Sequence, residues 1–241
     1  MIRILFIFCM FICSSSCDKK DMPPVNPTNM DSIPSPANSR KYYYLALGDS
    51  YTIGESVPIG ENFPNQSAFY FKTDSFYLDT RIIARTGWTT EELEAGIVAA
   101  DANSPLRTEY DYVSLLIGVN NQYRGRTVDS YRPEFENLLK KAIRYAGNRP
   151  SRVVVLSIPD WGVTPFASGL DRARIAGEID AYNAANKSIS QLYNVQYIDI
   201  TPWTREAASD PTLLAPDGLH PSGKEYRRWA ERVANWMRAV R

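Results

Sequence analysis

The chain has almost nothing from which to build a thiolate or imidazole metal site. Its three cysteines, Cys9, Cys13 and Cys17, all lie at the extreme N-terminus. The remainder therefore holds no disulfide framework and no thiolate metal centre. A single histidine, His220, excludes a histidine-rich centre as well, leaving open only an all-carboxylate magnesium or calcium site. Net charge is equally absent, with 27 basic against 27 acidic residues. A nucleic-acid binder needs a basic excess or a concentrated basic patch to neutralise phosphates. The nearest approach is the C-terminal stretch with Arg227, Arg228, Arg232, Arg238 and Arg241, where the intervening Glu225 and Glu231 point instead to a solvated helix face. No Gly-rich loop followed by Lys and Ser or Thr is present, which disfavours phosphoryl transfer. The apolar run at residues 4–12 is too short to cross a bilayer as a helix.

That run has another use. Arg3, the apolar run and the small residues Ser14, Ser15 and Ser16 together have the form of a secretory signal over residues 1–16. The Ser-Ser-Ser-Cys that ends at Cys17 resembles a bacterial lipoprotein processing site, in which the cysteine receives lipid, although the usual leucine three residues earlier is here Ser14. A plain cleaved signal with an incidental cysteine is the alternative. Residues 17–40 then carry Pro23, Pro24, Pro27, Pro34 and Pro36 among polar residues, with too little apolar content to fold. As a coil this tether spans about 25 Å on average and at most about 75 Å. The expectation is a domain held at a bacterial cell envelope, extracytoplasmic, on the periplasmic or outer face, touching membrane only through its lipid.

What is abundant comes after residue 40. The 241 residues are 44% hydrophobic, enough for one sizeable core at 41–241. Strands are expected at 42–47, 81–84, 112–117, 152–158 and 195–200. The runs at 113–117 and 153–156 are nearly continuous rather than alternating, as in a sheet covered on both faces. Between them, Thr89 and Glu92 form a capping box, and Pro133 is placed in the first turn of a helix that buries Phe135, Leu138, Leu139, Ala142, Ile143 and Ala146 before Gly147 stops it. Ile175, Ile179, Tyr182, Ile189 and Leu192 form a further core stripe, and Tyr226, Trp229, Ala230, Val233, Trp236, Met237 and Val240 another. Alternating strands and helices predict an α/β fold of three layers, α/β/α, on one doubly wound sheet of about five parallel strands.

In such a sheet, functional groups gather in the loops at the carboxyl ends of strands. There the sequence offers Gly48-Asp49-Ser50, then Gly87, then Gly118-Val119-Asn120-Asn121, then Pro159-Asp160-Trp161, and finally Asp217-Gly218-Leu219-His220. A hydroxyl nucleophile needs a neutral imidazole beside it, and the imidazole needs a carboxylate on its other nitrogen. Asp217, three residues before His220 with a glycine between, fits that need. Gly87 and Ser50 offer backbone N–H groups and Asn120 a side-chain amide, the donors an oxyanion requires. Each also has a plain structural use: Asp49 or Ser50 as a helix cap, Gly87 as a turn, Asn120 as a loop residue.

All of these except Pro159-Asp160-Trp161, in this order, resemble the four blocks of the SGNH (GDSL-type) hydrolases over essentially the whole stretch from Lys41 to Arg241. The resemblance implies a flavodoxin-like sheet and cofactor-free esterase, lipase or acylhydrolase chemistry. It assigns Ser50 as nucleophile, His220 as general base and then acid, Asp217 as its orienting partner, and Ser50, Gly87 and Asn120 as the oxyanion hole. One position departs: the third block usually ends in Asp, and here it ends in Asn121, which puts its loop hydrogen bonding and the polarity near the substrate in question.

The expected reaction is hydrolysis of a carboxylic ester through an acyl-enzyme. Trp88, Tyr123 and Trp161 stand just beyond the catalytic loops, where their rings can stack on a sugar, line an acyl groove or simply pack the loops. No long apolar insertion suggests a lid for bulk lipid, so short acyl esters of a carbohydrate are favoured. A lysophospholipase or thioesterase-type acylhydrolase is the alternative, and a non-catalytic surface binding module on the same fold is the rival from another class.

Overall fold

The computed structural model describes residues 39–241. The expected signal segment, Cys17 and the tether up to residue 38 lie outside them. Five strands, β1 (Arg40–Asp49), β2 (Phe76–Arg85), β3 (Tyr112–Leu116), β4 (Val153–Leu156) and β5 (Gln196–Ile198), form one sheet in the order β2-β1-β3-β4-β5. Every neighbouring pair is parallel. This is the doubly wound order whose direction of winding reverses between β1 and β3, where such folds open a crevice. Tyr44, Leu45, Ala46 and Leu47 of β1 and every residue of β3 and β4 are buried, as a sheet covered on both faces demands.

The helices are α1 (Ser50–Ile53), α2 (Phe63–Phe71), α3 (Thr90–Asn103), α4 (Val119–Tyr123), α5 (Val128–Tyr145), α6 (Arg172–Leu192), α7 (Thr201–Arg205) and α8 (Gly223–Ala239). The capping box at Thr89 and Glu92 opens α3 as expected. Among the described residues no helix is long and apolar enough to cross a membrane.

Several expectations need correction. Strand β2 is ten residues long, not four: it is a sheet edge, half-exposed, so its first half carries polar residues such as Asp79, which pairs with Lys41 of β1 at 2.6 Å. Arg40, placed in the tether, is already paired with Phe76 as the first residue of β1. Pro133 lies inside α5 rather than in its first turn, because Thr127 caps the helix earlier by accepting from the Ser130 N–H. Leu192 is 71% exposed: it is the last residue of α6, and Val195 takes over the burial. Glu225 is 1% exposed rather than on a solvated face, its carboxylate accepting from Trp229 Nε1 at 2.8 Å and Arg228 Nη1 at 3.0 Å. Helix α2 had no sequence signal, and it is buried against α8, with the Phe63 and Trp229 rings 6.2 Å apart.

Candidate active site

Strand β1 ends at Asp49, and Ser50 begins a single helical turn. Asp49 is the cap: its Oδ1 accepts the Tyr51 N–H at 3.0 Å. Burial pushes the Asp49 carboxyl up to about 7, against the opposing effect of that hydrogen bond. The turn closes on the nucleophile candidate itself, since Ser50 O accepts the N–H groups of Gly54 at 3.1 Å and Glu55 at 3.0 Å.

His220 and Asp217 meet as the spacing predicts. His220 Nδ1 lies 2.6 Å from Asp217 Oδ2, while Asp217 Oδ1 accepts the backbone N–H groups of Leu219 and His220, each at 3.0 Å. Gly218, at φ +68°, makes the reversal that brings the carboxylate back over its own loop. Burial alone raises the Asp217 carboxyl, but hydrogen bonds from His220, from the Leu219 N–H and from Ser56 outweigh it and hold it at about 2. The His220 ring also packs on Tyr51, the residue after Ser50, with centroids 5.0 Å apart. With Nδ1 engaged, Nε2 is the nitrogen left for proton transfer.

A cavity of about 90 Å³ joins Ser50, Asn120 and His220. Among its walls are Tyr123 and Trp161, as expected, and Phe166, which was not. The three rings form a triangle, with centroids 5.3 Å (Tyr123–Trp161), 6.0 Å (Tyr123–Phe166) and 5.9 Å (Trp161–Phe166) apart. Trp161 is buried, its Nε1 donating to Gln122 Oε1 at 2.8 Å, whereas Tyr123 is 55% and Phe166 48% exposed. Phe166 was legible only as a residue of the loop leaving β4, where a parallel sheet collects functional groups. A larger hollow of about 370 Å³ between α3 and α5 is lined by charged residues such as Lys141 and Glu94, which pair with each other.

Trp88 is a correction. It does not line the cavity; its ring covers Gly96 of α3 so closely that a Cβ there would meet Trp88 Cη2 at 2.1 Å. Gly87 is also outside the cavity wall. Its φ of +83° is what calls for glycine, because a Cβ there would meet only Arg124 Nη2, at 3.8 Å. Helix α4 and Arg124, the residue that caps its C-terminus, fasten this loop at three points. Asn120 Nδ2 donates to Trp88 O at 3.0 Å, Arg124 Nη2 to Gly87 O at 2.6 Å, and Asn121 Oδ1 accepts the Thr90 N–H at 3.1 Å. The second hydrogen of the Asn120 amide faces Asp49 Oδ2 only at 3.5 Å. Asn121, the departing position, is fully buried and its amide also donates to Thr90 Oγ1 at 2.7 Å. It is a fastener of the loop and does not face the cavity.

The sequence matches the GDSL-like lipase/acylhydrolase family over residues 46–228, from the end of β1 into α8. The chain belongs to that family. Ester hydrolysis is the reaction class that goes with membership. No curated protein matches the chain. Solved structures of the same fold include a lipolytic G-D-S-L family protein from Veillonella parvula, at 18% identity and TM-score 0.60, covering 81% of this chain and 97% of that one. A psychrotrophic esterase from Pseudoalteromonas sp. aligns at 16% identity and TM-score 0.58, over 80% and 94% of the two chains. An acetylxylan esterase from Geobacillus stearothermophilus aligns at 17% and 0.61, over 83% and 95%. At these identities the likeness speaks for the fold.

Proposed function

We propose that Ser50, His220 and Asp217 form the catalytic triad of a serine esterase that removes short acyl groups, of acetyl type, from a carbohydrate. The observation that carries the triad is the cavity shared by Ser50 and His220, with Asp217 bonded to the far ring nitrogen. Ser50 Oγ attacks the ester carbonyl carbon as His220 Nε2 takes its proton. The oxyanion is held by the Ser50 N–H and by the Asn120 hydrogen that only weakly engages Asp49; Gly87, which lies outside the cavity wall, shapes the loop beside them. Collapse breaks the bond to the alcohol oxygen, which leaves with the proton from His220. Water then attacks the acyl-enzyme with His220 again as base, and the acid and free Ser50 result.

Three observations support a short acyl group and a sugar alcohol. The cavity of about 90 Å³ is smaller than the engineered cavities of about 150 Å³ that admit a benzene ring. Beside it the exposed Tyr123 and Phe166 rings offer flat faces to a sugar, and an acetylxylan esterase shares the fold. The rival reading of a non-catalytic binding module loses its best argument, since Asn121 is buried and hydrogen-bonded away from the cavity. We also place the enzyme at the cell envelope on a lipidated Cys17, on the strength of residues 1–17 alone.

The test is covalent labelling by a fluorophosphonate together with hydrolysis of acetylated oligosaccharides and of esters of increasing acyl length. The triad requires labelling that Ser50→Ala abolishes. Labelling or hydrolysis that survives in Ser50→Ala removes the triad, and a preference for long acyl chains removes the acetyl reading.

A further inference from the structure

Asp217 receives four hydrogen bonds, and three of them come from its own loop: the Leu219 and His220 N–H groups on Oδ1 and His220 Nδ1 on Oδ2. The fourth crosses the fold. Ser56 Oγ donates to Asp217 Oδ2 at 2.7 Å, across a sequence separation of 161 residues. It reaches the same oxygen that holds His220.

The backbone at Ser56 is itself unusual. Its φ is +64°, a left-handed conformation that costs an L-residue other than glycine, asparagine or aspartate appreciable strain. Glycine would relieve that strain but would carry no hydroxyl. A strained non-glycine residue held in place by its surroundings is a pointer to function. Here the surroundings are explicit. Gly54 and Glu55 bond back to Ser50 O, the Glu55 carboxylate accepts from the Thr86 hydroxyl, and Asn62 Nδ2 donates to Ile53 O at 3.0 Å. Ser56 thus stands on the turn that carries Ser50 and reaches the loop that carries His220. Because the Asp217 side chain is 29% exposed, water competes for Oδ2, and a fixed donor is what keeps that oxygen turned to the imidazole.

We propose that Ser56 is a positioning residue: its hydroxyl ties the Ser50 turn to the Asp217–His220 loop and fixes the orientation of the Asp217 carboxylate against His220. This rests on the triad proposed above. It assigns no substrate contact to Ser56, so its loss should act on turnover and leave substrate binding alone.

Ser56→Gly suits the left-handed backbone and removes the hydroxyl together with its one carbon. With a short acetyl ester as substrate, kcat is expected to fall about tenfold, as for loss of one hydrogen bond to a charged group, while KM stays within twofold and the thermal midpoint is unchanged or higher. In an Asp217→Ala background the same substitution is expected to add nothing, because its target is gone. Unchanged kcat in Ser56→Gly, or full additivity with Asp217→Ala, overturns the proposal while leaving the triad intact. A wild-type protein that neither labels with fluorophosphonate nor hydrolyses esters overturns the triad and this role together.

Discussion

Asn121 Nδ2 lies 3.4 Å from Glu134 Oε2, so the amide that stands where the family usually has an acid faces an acid of α5. The same Glu134 oxygen takes the Thr90 hydroxyl. The buried asparagine and the half-buried glutamate therefore share one junction between the start of α3, helix α4 and helix α5. An aspartate at 121 keeps the acceptor for the Thr90 N–H, but it loses the donor and brings a second carboxylate against the first.

Asn121→Asp is accordingly expected to destabilise the fold by about 1–3 kcal/mol at neutral pH, the cost of a lost buried hydrogen bond with a like charge added. Glu134→Gln in the same chain should recover most of the loss. Urea midpoints of the two single variants and the double variant check this, and additive losses would separate the two residues.

The second expectation concerns pH. Burial raises the Asp49 carboxyl from 3.8 to about 7, so between these values the folded protein binds a proton that the unfolded chain has released. That contribution is fully present below about pH 4 and is lost as pH rises towards 7. Asp49→Asn, whose amide oxygen can still accept the Tyr51 N–H, should gain on wild type across this window by up to roughly 4 kcal/mol. Asp217 runs the other way: held at about 2, it stabilises above about pH 4 and loses that effect as pH falls to 2. Denaturation curves from pH 4 to 8 on wild type and Asp49→Asn test the first sign, and a flat difference refutes it.

Gly118, at φ +129°, opens the loop that presents Asn120. A Cβ there would meet Tyr131 Oη at 2.6 Å, and that hydroxyl is bonded to Ile117 O at 2.9 Å. Gly118→Ala should cost about 2–3 kcal/mol through backbone strain and overpacking. Gly60→Ala is the matched control, since nothing lies within 4 Å of a Cβ at that position. Thermal midpoints that move alike in the two variants would count against the clash.

Tyr123→Ala and Phe166→Ala are expected to raise KM for an acetylated oligosaccharide about five- to tenfold, within the reach of one lost ring contact. KM for ethyl acetate should hardly move. Equal changes for both substrates would assign the rings to loop packing.

The sheet was legible because β1, β3 and β4 are buried on both faces and so spell continuous apolar runs. The first half of β2 was not, because an edge strand half in water alternates Leu78, Asp79 and Thr80. The site was legible where a motif keeps its members close, as in Asp217 and His220. Ser56 and Phe166 were not, one being a serine in a polar turn and the other an isolated aromatic. Trp88 shows the converse: a ring near a catalytic loop in sequence was turned away by a glycine on α3. Arg124 sits one turn beyond the third block, and only the folded chain reveals that it holds the Gly87 carbonyl.

The parallel order of the sheet also sets a clock. Ser50 and His220 are separated by about 170 positions, which a ribosome covers in roughly 10–30 s. On the proposed triad, the emerging chain carries its nucleophile without a base throughout that interval. Neither the Ser56 strut nor the seat of α8 against α2 can form before the second half of the chain exists. The molecule is therefore chemically silent while it is being made, and reactivity arrives with the closing of its last long-range contacts.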